Sequence, residues 1–376
     1  MYTSTRLKNK NRIQRTIGGG FSSTINVQTW AQMQPGKDGG DFVLVTGASA
    51  YLGGHILARL LEGGFTVRGT VRSQRQYDRV LSFFPHEAKL DLAIIEEIES
   101  PSAPLQEAMR GATAVIHVAS PVNFEPRNNA QDLLLPAING TMAVLQVAAA
   151  SPFVKRVVVT ATMATMSHIG SGPIPGKVYN EADHNPVTWE KAVASSDGHY
   201  VYCGSKTLAE QAAWRFMKDE APSFDLVTIH PSWLVGPSVY RIDKASDLNE
   251  NLREFFSTLM DVKDKLPSTK VQYWVDVRDA AKSHVLALDS SRIPGGRYLV
   301  THPAKFDWKK AFTVMHESFP EERFPRTDVD YFVESRPAVD VSKSEHYFGF
   351  GWTDLRTSVT DMATQFYQYR KLHPSG

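Results

Sequence analysis

Thr46-Gly47-Ala48-Ser49-Ala50-Tyr51-Leu52-Gly53-Gly54 stands directly after a short apolar run and directly before a stretch with helical spacing. The apolar run, Phe42 to Val45, is typical of a buried β-strand, and Tyr51 to Leu61 is predicted to be a helix. A glycine-rich turn at such a junction marks the first unit of a strand–helix–strand fold.

The alternation of apolar runs and longer helical stretches continues along the chain. Further strands are predicted at Thr66–Val71, Leu92–Ile95, Ala114–Val118, Arg156–Thr160 and Asp225–His230, and long helices at Leu133–Ala150 and Ser205–Lys218. Fully apolar strands separated by helices indicate a parallel sheet covered on both faces, which is the α/β, doubly wound Rossmann-type architecture. After about Gly236 the alternation weakens and aromatic residues become frequent, which indicates a smaller C-terminal domain at the carboxyl edge of the sheet.

Composition excludes several classes of protein. The 376 residues carry 41 Lys and Arg against 40 Asp and Glu, a net charge of +1, which is too balanced for an electrostatic nucleic-acid binder. The single Cys excludes a disulfide framework and a multi-thiolate metal site, and the 12 His form no ligand pair, so no metal is expected. No apolar run approaches the roughly 18 residues of a membrane span, so a cytoplasmic protein is expected.

The glycine turn is predicted to bind a dinucleotide. There the amino end of the helix offers free N–H groups and a positive dipole to a pyrophosphate, through Gly47, Ala50, Tyr51, Leu52 and Gly53. The middle position of the glycine pattern is Ala50. A methyl group there is expected to hinder close approach of the backbone, and to cost around 1 kcal/mol if the position needs a positive φ.

The second strand identifies the dinucleotide. It ends in Arg72, with Arg75 close by, and carries no carboxylate that would bind a free ribose 2′-hydroxyl. A guanidinium suits a 2′-phosphate, so NADP(H) is favoured over NAD(H); the alternative is a solvated surface arginine.

Tyr202 and Lys206 carry the predicted chemistry. They are four residues apart at the start of the Ser205–Lys218 helix, and therefore project from one helical face. An ammonium about 4 Å away at an effective dielectric of ~20 is worth roughly 4 kcal/mol, which would lower the phenol pKa from about 10 to near 7. Tyr202 could then exchange a proton with a carbonyl or an alcohol. The alternative is that Lys206 merely pairs with Glu210.

Two further polar positions accompany this pair. Thr160 and Thr162 stand at the end of the fifth strand, where a hydroxyl could hold a substrate oxygen, and only the one beyond the strand is expected to be free. Asn139 lies inside the long helix before that strand, where asparagine is locally unfavourable, so it is expected to hold a water or a backbone carbonyl. The alternative is a satisfied, buried asparagine.

These residues resemble the extended short-chain dehydrogenase/reductase family, in its dihydroflavonol-reductase-like branch and its fungal NADPH-dependent aldehyde and ketone reductases of the methylglyoxal type. The resemblance runs from about Asp41 to about Phe366. It rests on several stretches in the family's order: Val67 to Ser73, His117 to Pro121, Leu134 to Thr141, Tyr202 to Lys206, His230 to Pro237 and Val275 to Ala281.

The resemblance implies a site. It places a triad on Thr162, Tyr202 and Lys206, with Asn139 as fourth member. It also implies cofactor contacts: Pro231 and the residues after it, Trp233 among them, against the nicotinamide, Ala119 with Ser120 near the ribose, and Glu97 with Ile98 near the adenine. Thr162 stands where serine is commoner in the family, and its methyl narrows the pocket.

The predicted domains follow from these assignments. Residues 1–40, basic and without acidic side chains up to Gln34, are predicted to be a disordered N-terminal extension, with a mitochondrial transit peptide as the alternative. Residues 41–235 are predicted to bind NADP, and residues 236–376 mainly to bind substrate, with part of 271–300 returning to the sheet. A monomer or homodimer is expected.

The leading hypothesis is reduction of an aldehyde or ketone by NADPH with Tyr202 as general acid. Phe124 and Trp233 are the candidate walls of the substrate pocket, and core packing is the alternative role of each. One competing hypothesis is a non-redox epimerase, dehydratase or lyase, which would consume no NADPH with any carbonyl substrate. Another is a regulator that binds NADP without turnover, and it would have no need of Tyr202 and Lys206.

Overall fold

The computed structural model describes residues 41–167, 174, 176–260, 265–269, 271–327, 337–349 and 351–373. The predicted N-terminal extension lies outside these residues. The strands, in chain order, are β1 Phe42–Thr46, β2 Thr66–Val71, β3 Leu90–Ile94, β4 Ala114–His117, β5 Arg156–Thr160, β6 Val178–Tyr179, β7 Asp225–Pro231, β8 Trp233–Val235, β9 Trp274–Asp276, β10 Gly296–Val300 and β11 Ala338–Val339.

The helices surround these strands. In chain order they are α1 Tyr51–Glu62, α2 Gln74–Phe83, α3 Ala103–Met109, α4 Leu135–Ala150, α5 Trp189–Ala194, α6 Gly198–Glu220, α7 Glu250–Met260, α8 Val277–Leu286, α9 Trp308–Ser318, α10 Ser342–Phe348 and α11 Leu355–Leu372. The six strands predicted from the sequence are β1, β2, β3, β4, β5 and β7, and they agree with the structure to within two residues.

A seven-stranded parallel sheet forms the centre of the fold. Its order is β10-β7-β5-β4-β1-β2-β3, and every neighbouring pair is parallel. Helices α1 and α8 pack against each other, as do α4 and α6, and apolar side chains of α3, α4 and α6 pack with those of the sheet in one buried cluster. The predicted doubly wound Rossmann-type fold is confirmed, and its strand order reverses between β1 and β4, where such sheets bind ligands.

The last sheet strand comes from late in the chain. Strand β10 pairs with β7, with Gly296 opposite Val227 and Val300 opposite Pro231. Residues 296–300 thus lie in the sheet, whereas β8 and β9 pair with each other as a separate two-stranded sheet. Trp233, the first residue of β8, stacks on Phe255 with ring centroids 4.3 Å apart, and Phe306 and Trp308 complete this aromatic cluster.

The helix before β5 is the most apolar of the described part. A wide π-helical turn, Ala130–Leu134, runs into α4, and together they are long and apolar enough to cross a membrane by length and composition alone. The expectation that no stretch reaches this length was therefore wrong. Of the most apolar 18 consecutive residues of this helix, 56% are buried inside the protein. Side chains of α4 pack with those of the sheet and of neighbouring helices, as those of a core helix do.

Candidate active site

The turn from β1 to α1 is built on two glycines that a side chain would obstruct. Gly47 has φ +72°, and a Cβ there would lie 2.9 Å from the backbone nitrogen of Ala119. A Cβ on Gly53 would lie 2.1 Å from the carbonyl oxygen of Gly47, so only glycine lets the helix start so close to the strand. This close packing leaves the first N–H groups of α1, which have no acceptor within the helix, at the carboxyl edge of the sheet.

Ala50 is not strained. It caps the amino end of α1 with φ −74° and ψ 161°, an extended conformation that any residue adopts, and its side chain is exposed. The condition for a positive-φ penalty at this position is therefore not met. The Tyr51 side chain, in contrast, is buried, and its hydroxyl donates to the carbonyl oxygen of Gly236 at 2.5 Å. It therefore points away from the predicted pyrophosphate site.

Thr46 joins this turn to the end of β4. Its hydroxyl oxygen accepts the backbone N–H groups of Val118 and Ala119 at 3.1 and 3.2 Å, and lies 2.8 Å from Nδ1 of His117. Because the hydroxyl oxygen accepts twice, its hydrogen is donated to His117 Nδ1. The segment containing Ala119 and Ser120 is thus fixed beside Gly47, a connection that the sequence analysis missed.

The two arginines after β2 differ in their surroundings. Arg72 is exposed, and its guanidinium has no hydrogen bond or ion pair with another residue in the described ranges; only its backbone N–H donates, to Gln76 Oε1. Arg75 is exposed too, and its guanidinium lies 3.4 Å from a carboxylate oxygen of Asp247. The structure therefore leaves Arg72 available for an anionic ligand.

The segment after β3 lies further along the same edge. Glu97 is exposed, and Ile98 packs toward α4, where a Cβ on Gly140 would lie 3.3 Å from its Cγ2 atom. Asn139 on α4 is exposed and makes no hydrogen bond with any residue that the structure describes. The alternative of a buried, satisfied asparagine was therefore wrong, and no backbone carbonyl is bound by it.

Helix α6 begins earlier than the sequence indicated. Asp197 caps it by accepting the backbone N–H groups of His199 and Tyr200, so the helix starts at Gly198 and Tyr202 lies one turn inside it. The prediction that Tyr202 opens the helix was wrong by about a turn. The reason is that the first turn contains few apolar residues, and only the cap identifies it.

Lys206 and Thr160 lie together at the end of β5. The Lys206 ammonium donates to the carbonyl oxygen of Thr160 at 2.7 Å, whereas Glu210 binds Arg297 instead, so the suggested Lys206–Glu210 pair is absent. Burial lowers the pKa of Lys206 to about 8, and Glu210 partly opposes this shift. The Thr160 hydroxyl lies 2.9 Å from Nε2 of His284.

Two buried imidazoles lie near the Lys206 ammonium. Burial, assisted by the charge of Lys206, lowers the pKa of His117 to about 3 and that of His284 to about 4, so both are neutral at pH 7. His284 Nδ1 lies 2.7 Å from the carbonyl oxygen of Ala280 and therefore carries the ring hydrogen, which leaves Nε2 to accept from Thr160. The Thr160 hydroxyl is thus occupied.

Thr162 is the freer of the two hydroxyls. It caps the short helical turn Met163–Thr165 by accepting the N–H of Ala164 at 3.3 Å, and an accepting hydroxyl keeps its hydrogen for donation. The expectation that the threonine beyond the strand is available agrees with this geometry.

The Tyr202 hydroxyl has no hydrogen-bond partner among the described residues. It is also absent from the buried side-chain atoms of those residues that lack a partner, so the hydroxyl oxygen is not fully enclosed. Burial raises the pKa of Tyr202 well above its usual value, with a smaller contribution from Cys203. The prediction that Lys206 lowers this pKa to near 7 was therefore wrong, because burial dominates the pKa of this phenol. Tyr202 is a protonated phenol at neutral pH.

The two candidate pocket walls lie in different places. The Phe124 ring packs edge-on to Tyr202 with centroids 5.3 Å apart, and it is 38% exposed, so it lies at the predicted site and not in the core. Trp233 makes its ring contacts in the aromatic cluster with Phe255, Phe306 and Trp308. Pro231 ends β7 and is buried.

The fold and the glycine turn define a Rossmann-type dinucleotide-binding protein. The model of the NAD dependent epimerase/dehydratase family matches residues 43–300, and the chain belongs to that family, which comprises the extended short-chain dehydrogenases/reductases. The predicted family is thereby confirmed.

Relatives from two yeasts extend over most of the chain. An uncharacterised oxidoreductase of Schizosaccharomyces pombe is 34% identical over 75% of this chain and 84% of its own. The NADPH-dependent methylglyoxal reductase Gre2 of Saccharomyces cerevisiae is 30% identical over 87% of this chain and 98% of its own. The crystal structure of yeast methylglyoxal/isovaleraldehyde reductase Gre2 with NADPH superimposes with a TM-score of 0.80 at 27% identity, covering 88% and 99% of the two chains.

Proposed function

We propose that this protein reduces the carbonyl group of an aldehyde or ketone to an alcohol with NADPH. The observation that carries the proposal is the Tyr202 hydroxyl, which has no partner among the described residues and lies one helical turn from Lys206, at the carboxyl edge where the glycine turn also lies. One of the relatives described above, the yeast reductase Gre2, is an NADPH-dependent reductase of methylglyoxal and isovaleraldehyde, which supports the same reaction here.

Tyr202 and Thr162 act on the substrate oxygen. When bound, NADPH supplies a hydride to the carbonyl carbon, and the phenol of Tyr202 gives its proton to the oxygen, so that the two together form the alcohol. The raised pKa of Tyr202 keeps the phenol protonated at neutral pH before reaction. The Thr162 hydroxyl donates a hydrogen bond to the same oxygen and orients it.

Lys206 binds the cofactor ribose in this proposal. Its ammonium has three hydrogens, and the Thr160 carbonyl accepts one of them, which leaves two for ribose hydroxyls. Asn139, whose side chain is exposed and unbound in the described part, contributes to this edge of the site as the family resemblance implies.

The glycine turn and Arg72 fit NADPH. A pyrophosphate needs the close backbone approach that Gly47 and Gly53 permit, and the exposed guanidinium of Arg72, helped by Arg75, supplies the charge for a 2′-phosphate. Phe124 gives the pocket an apolar wall beside Tyr202, which favours a substrate with an apolar substituent. A monomer or homodimer and a cytoplasmic location remain predictions from the sequence.

Substitution of Tyr202 by Phe tests the proposal. The wild type is expected to oxidise NADPH with at least one member of a panel of aldehydes, diketones and bulky cyclic ketones. Tyr202→Phe should lower this rate by at least about 100-fold, as loss of a general acid does, while the Kd for NADPH changes little. Tyr200→Phe is the matched control, because Tyr200 lies on the same helix and its variant should keep full activity.

Two results would contradict the proposal. Unaltered turnover by Tyr202→Phe would show that another group supplies the proton. A wild type that binds NADPH but consumes none with any carbonyl would favour the non-redox epimerase or lyase activity that other members of this fold perform.

A further inference from the structure

A buried ionic cluster lies behind the helix that carries Tyr202 and Lys206. Glu210 is one turn beyond Lys206 on α6, and its carboxylate accepts two hydrogen bonds from Arg297 on β10, from Nε at 2.7 Å and from Nη2 at 3.2 Å. The side chains of Glu210 and Arg297 are 6% and 11% exposed. Although burial opposes ionisation, His230 and Arg297 hold the pKa of Glu210 well below its usual range, so the pair is charged.

Arg297 also reaches the segment that contains Thr162. Its Nη2 donates to Thr165 Oγ1 at 3.3 Å, and Thr165 belongs to the short turn that Thr162 caps. Its Nη1 donates to the carbonyl oxygens of Glu181 and Asp183, both at 2.6 Å. One guanidinium therefore connects the catalytic helix, the Thr162 turn and the loop at 181–183.

His230 completes the cluster from β7. Its Nε2 lies 3.2 Å from Glu210 Oε1 and 2.8 Å from Thr228 Oγ1. Its Nδ1 lies 3.0 Å from Thr165 Oγ1 and 3.3 Å from the carbonyl oxygen of Thr162. The ring is fully buried, and the next residue is Pro231, which the family resemblance places against the nicotinamide.

We propose that Glu210 and Arg297 are positioning residues that fix the Thr162 turn relative to Tyr202. The inference rests on the proposed function, in which both hydroxyls bind one carbonyl oxygen. A buried ion pair is weak evidence for a role in stability, because apolar side chains of similar volume often give a folded protein that is as stable or more stable. This pair instead fixes the position of α6 relative to the Thr162 turn, because the planar Arg297 guanidinium forms hydrogen bonds of fixed geometry to both.

Arg297→Lys tests the proposal, since lysine keeps the charge but cannot form the fork. We expect kcat to fall about 10- to 100-fold, as misplacement by about 1 Å does, with the Kd for NADPH nearly unchanged. Arg156→Lys is the matched control. Arg156 is buried too and binds Asp225 and the carbonyl oxygens of Ala287 and Ile293, but it lies at the amino end of β5, away from the site. Its variant should lose stability and keep kcat.

Amide hydrogen exchange at residues 162–167 gives a readout that does not depend on turnover. We expect faster exchange there in Arg297→Lys and in Glu210→Gln than in the wild type, and no change in Arg156→Lys. Unchanged exchange in both cluster variants would overturn the proposal, as would equal kcat losses in Arg297→Lys and Arg156→Lys. A wild type without carbonyl reductase activity would defeat the proposed function alone, because the exchange result still decides the positioning claim.

Discussion

Arg72 is the residue that we propose decides between the two nicotinamide cofactors. Its position at the end of β2 was readable from the sequence, and its exposed guanidinium, unpaired in the described part, keeps it available. Arg75 shares this surface, but Asp247 lies 3.4 Å away and competes for it. We therefore expect the specificity for NADPH to depend more on Arg72 than on Arg75.

Arg72→Ala should weaken NADPH binding by about 10- to 100-fold, the effect of losing one or two charge-assisted hydrogen bonds, and leave NADH binding nearly unchanged. Titration of both cofactors against the variant measures this difference. The control is Arg253→Ala, which removes an exposed arginine from α7 that pairs with Glu250. Equal weakening of NADPH and NADH would contradict a phosphate-binding role.

Burial, and not the four-residue spacing between them, dominates the pKa values of Tyr202 and Lys206. The sequence motif predicted a lowered phenol pKa, but burial raises the pKa of Tyr202 and lowers that of Lys206 to about 8. Spacing gives the neighbours of a group along the helix, whereas solvation depends on the whole fold. The sequence therefore predicts that the two residues are neighbours on the helix, but not their pKa values.

The pH dependence of kcat/KM for NADPH distinguishes these two pictures, because it reports the cofactor-free enzyme. As the pH rises through about 8, Lys206 loses its proton and its positive charge, so kcat/KM should fall above that pH. Tyr202 remains protonated over the same range and contributes no descending limb there. A descending limb with its midpoint near pH 7 would instead support the lowered phenol pKa that the spacing alone predicted.

At the scale of elements, the ends of strands and helices position the site. The strands of the sheet were predictable because parallel strands buried on both faces are apolar along their length. The connections at their carboxyl ends were not predictable, because they depend on contacts between segments far apart in sequence, such as Thr46 with residues 117–119. The start of α6 was missed for a local reason, since only the Asp197 cap marks it.

Thr46→Val tests the connection between β1 and β4. Valine has nearly the same shape but leaves His117 Nδ1 and two backbone N–H groups without their partner, so the free energy of unfolding should fall by about 1–3 kcal/mol. NADPH binding should weaken too, because Ala119 packs against Gly47. Urea unfolding measures the first effect, and Thr46→Ser, which keeps the hydroxyl, is the control. Equal stability of the two variants would show that the hydroxyl does not hold this turn.

At the scale of the whole molecule, residues from distant parts of the chain meet at one edge of the sheet. Motif spacing located the glycine turn and the Tyr202–Lys206 pair, since each lies within one element. The ionic cluster behind them joins residues 210, 230 and 297, and no local pattern marks it. The cluster forms because strand β10 brings Arg297 back to the central sheet.

The position of Tyr202 relative to bound cofactor tests the central claim most directly. In a crystal structure of the NADPH complex, we expect the Tyr202 hydroxyl to face the reactive carbon of the nicotinamide, with room between them for a substrate carbonyl whose reacting atoms lie about 3–3.5 Å from their partners. A complex in which NADPH occupies the glycine turn while Tyr202 points away from the nicotinamide would contradict the account.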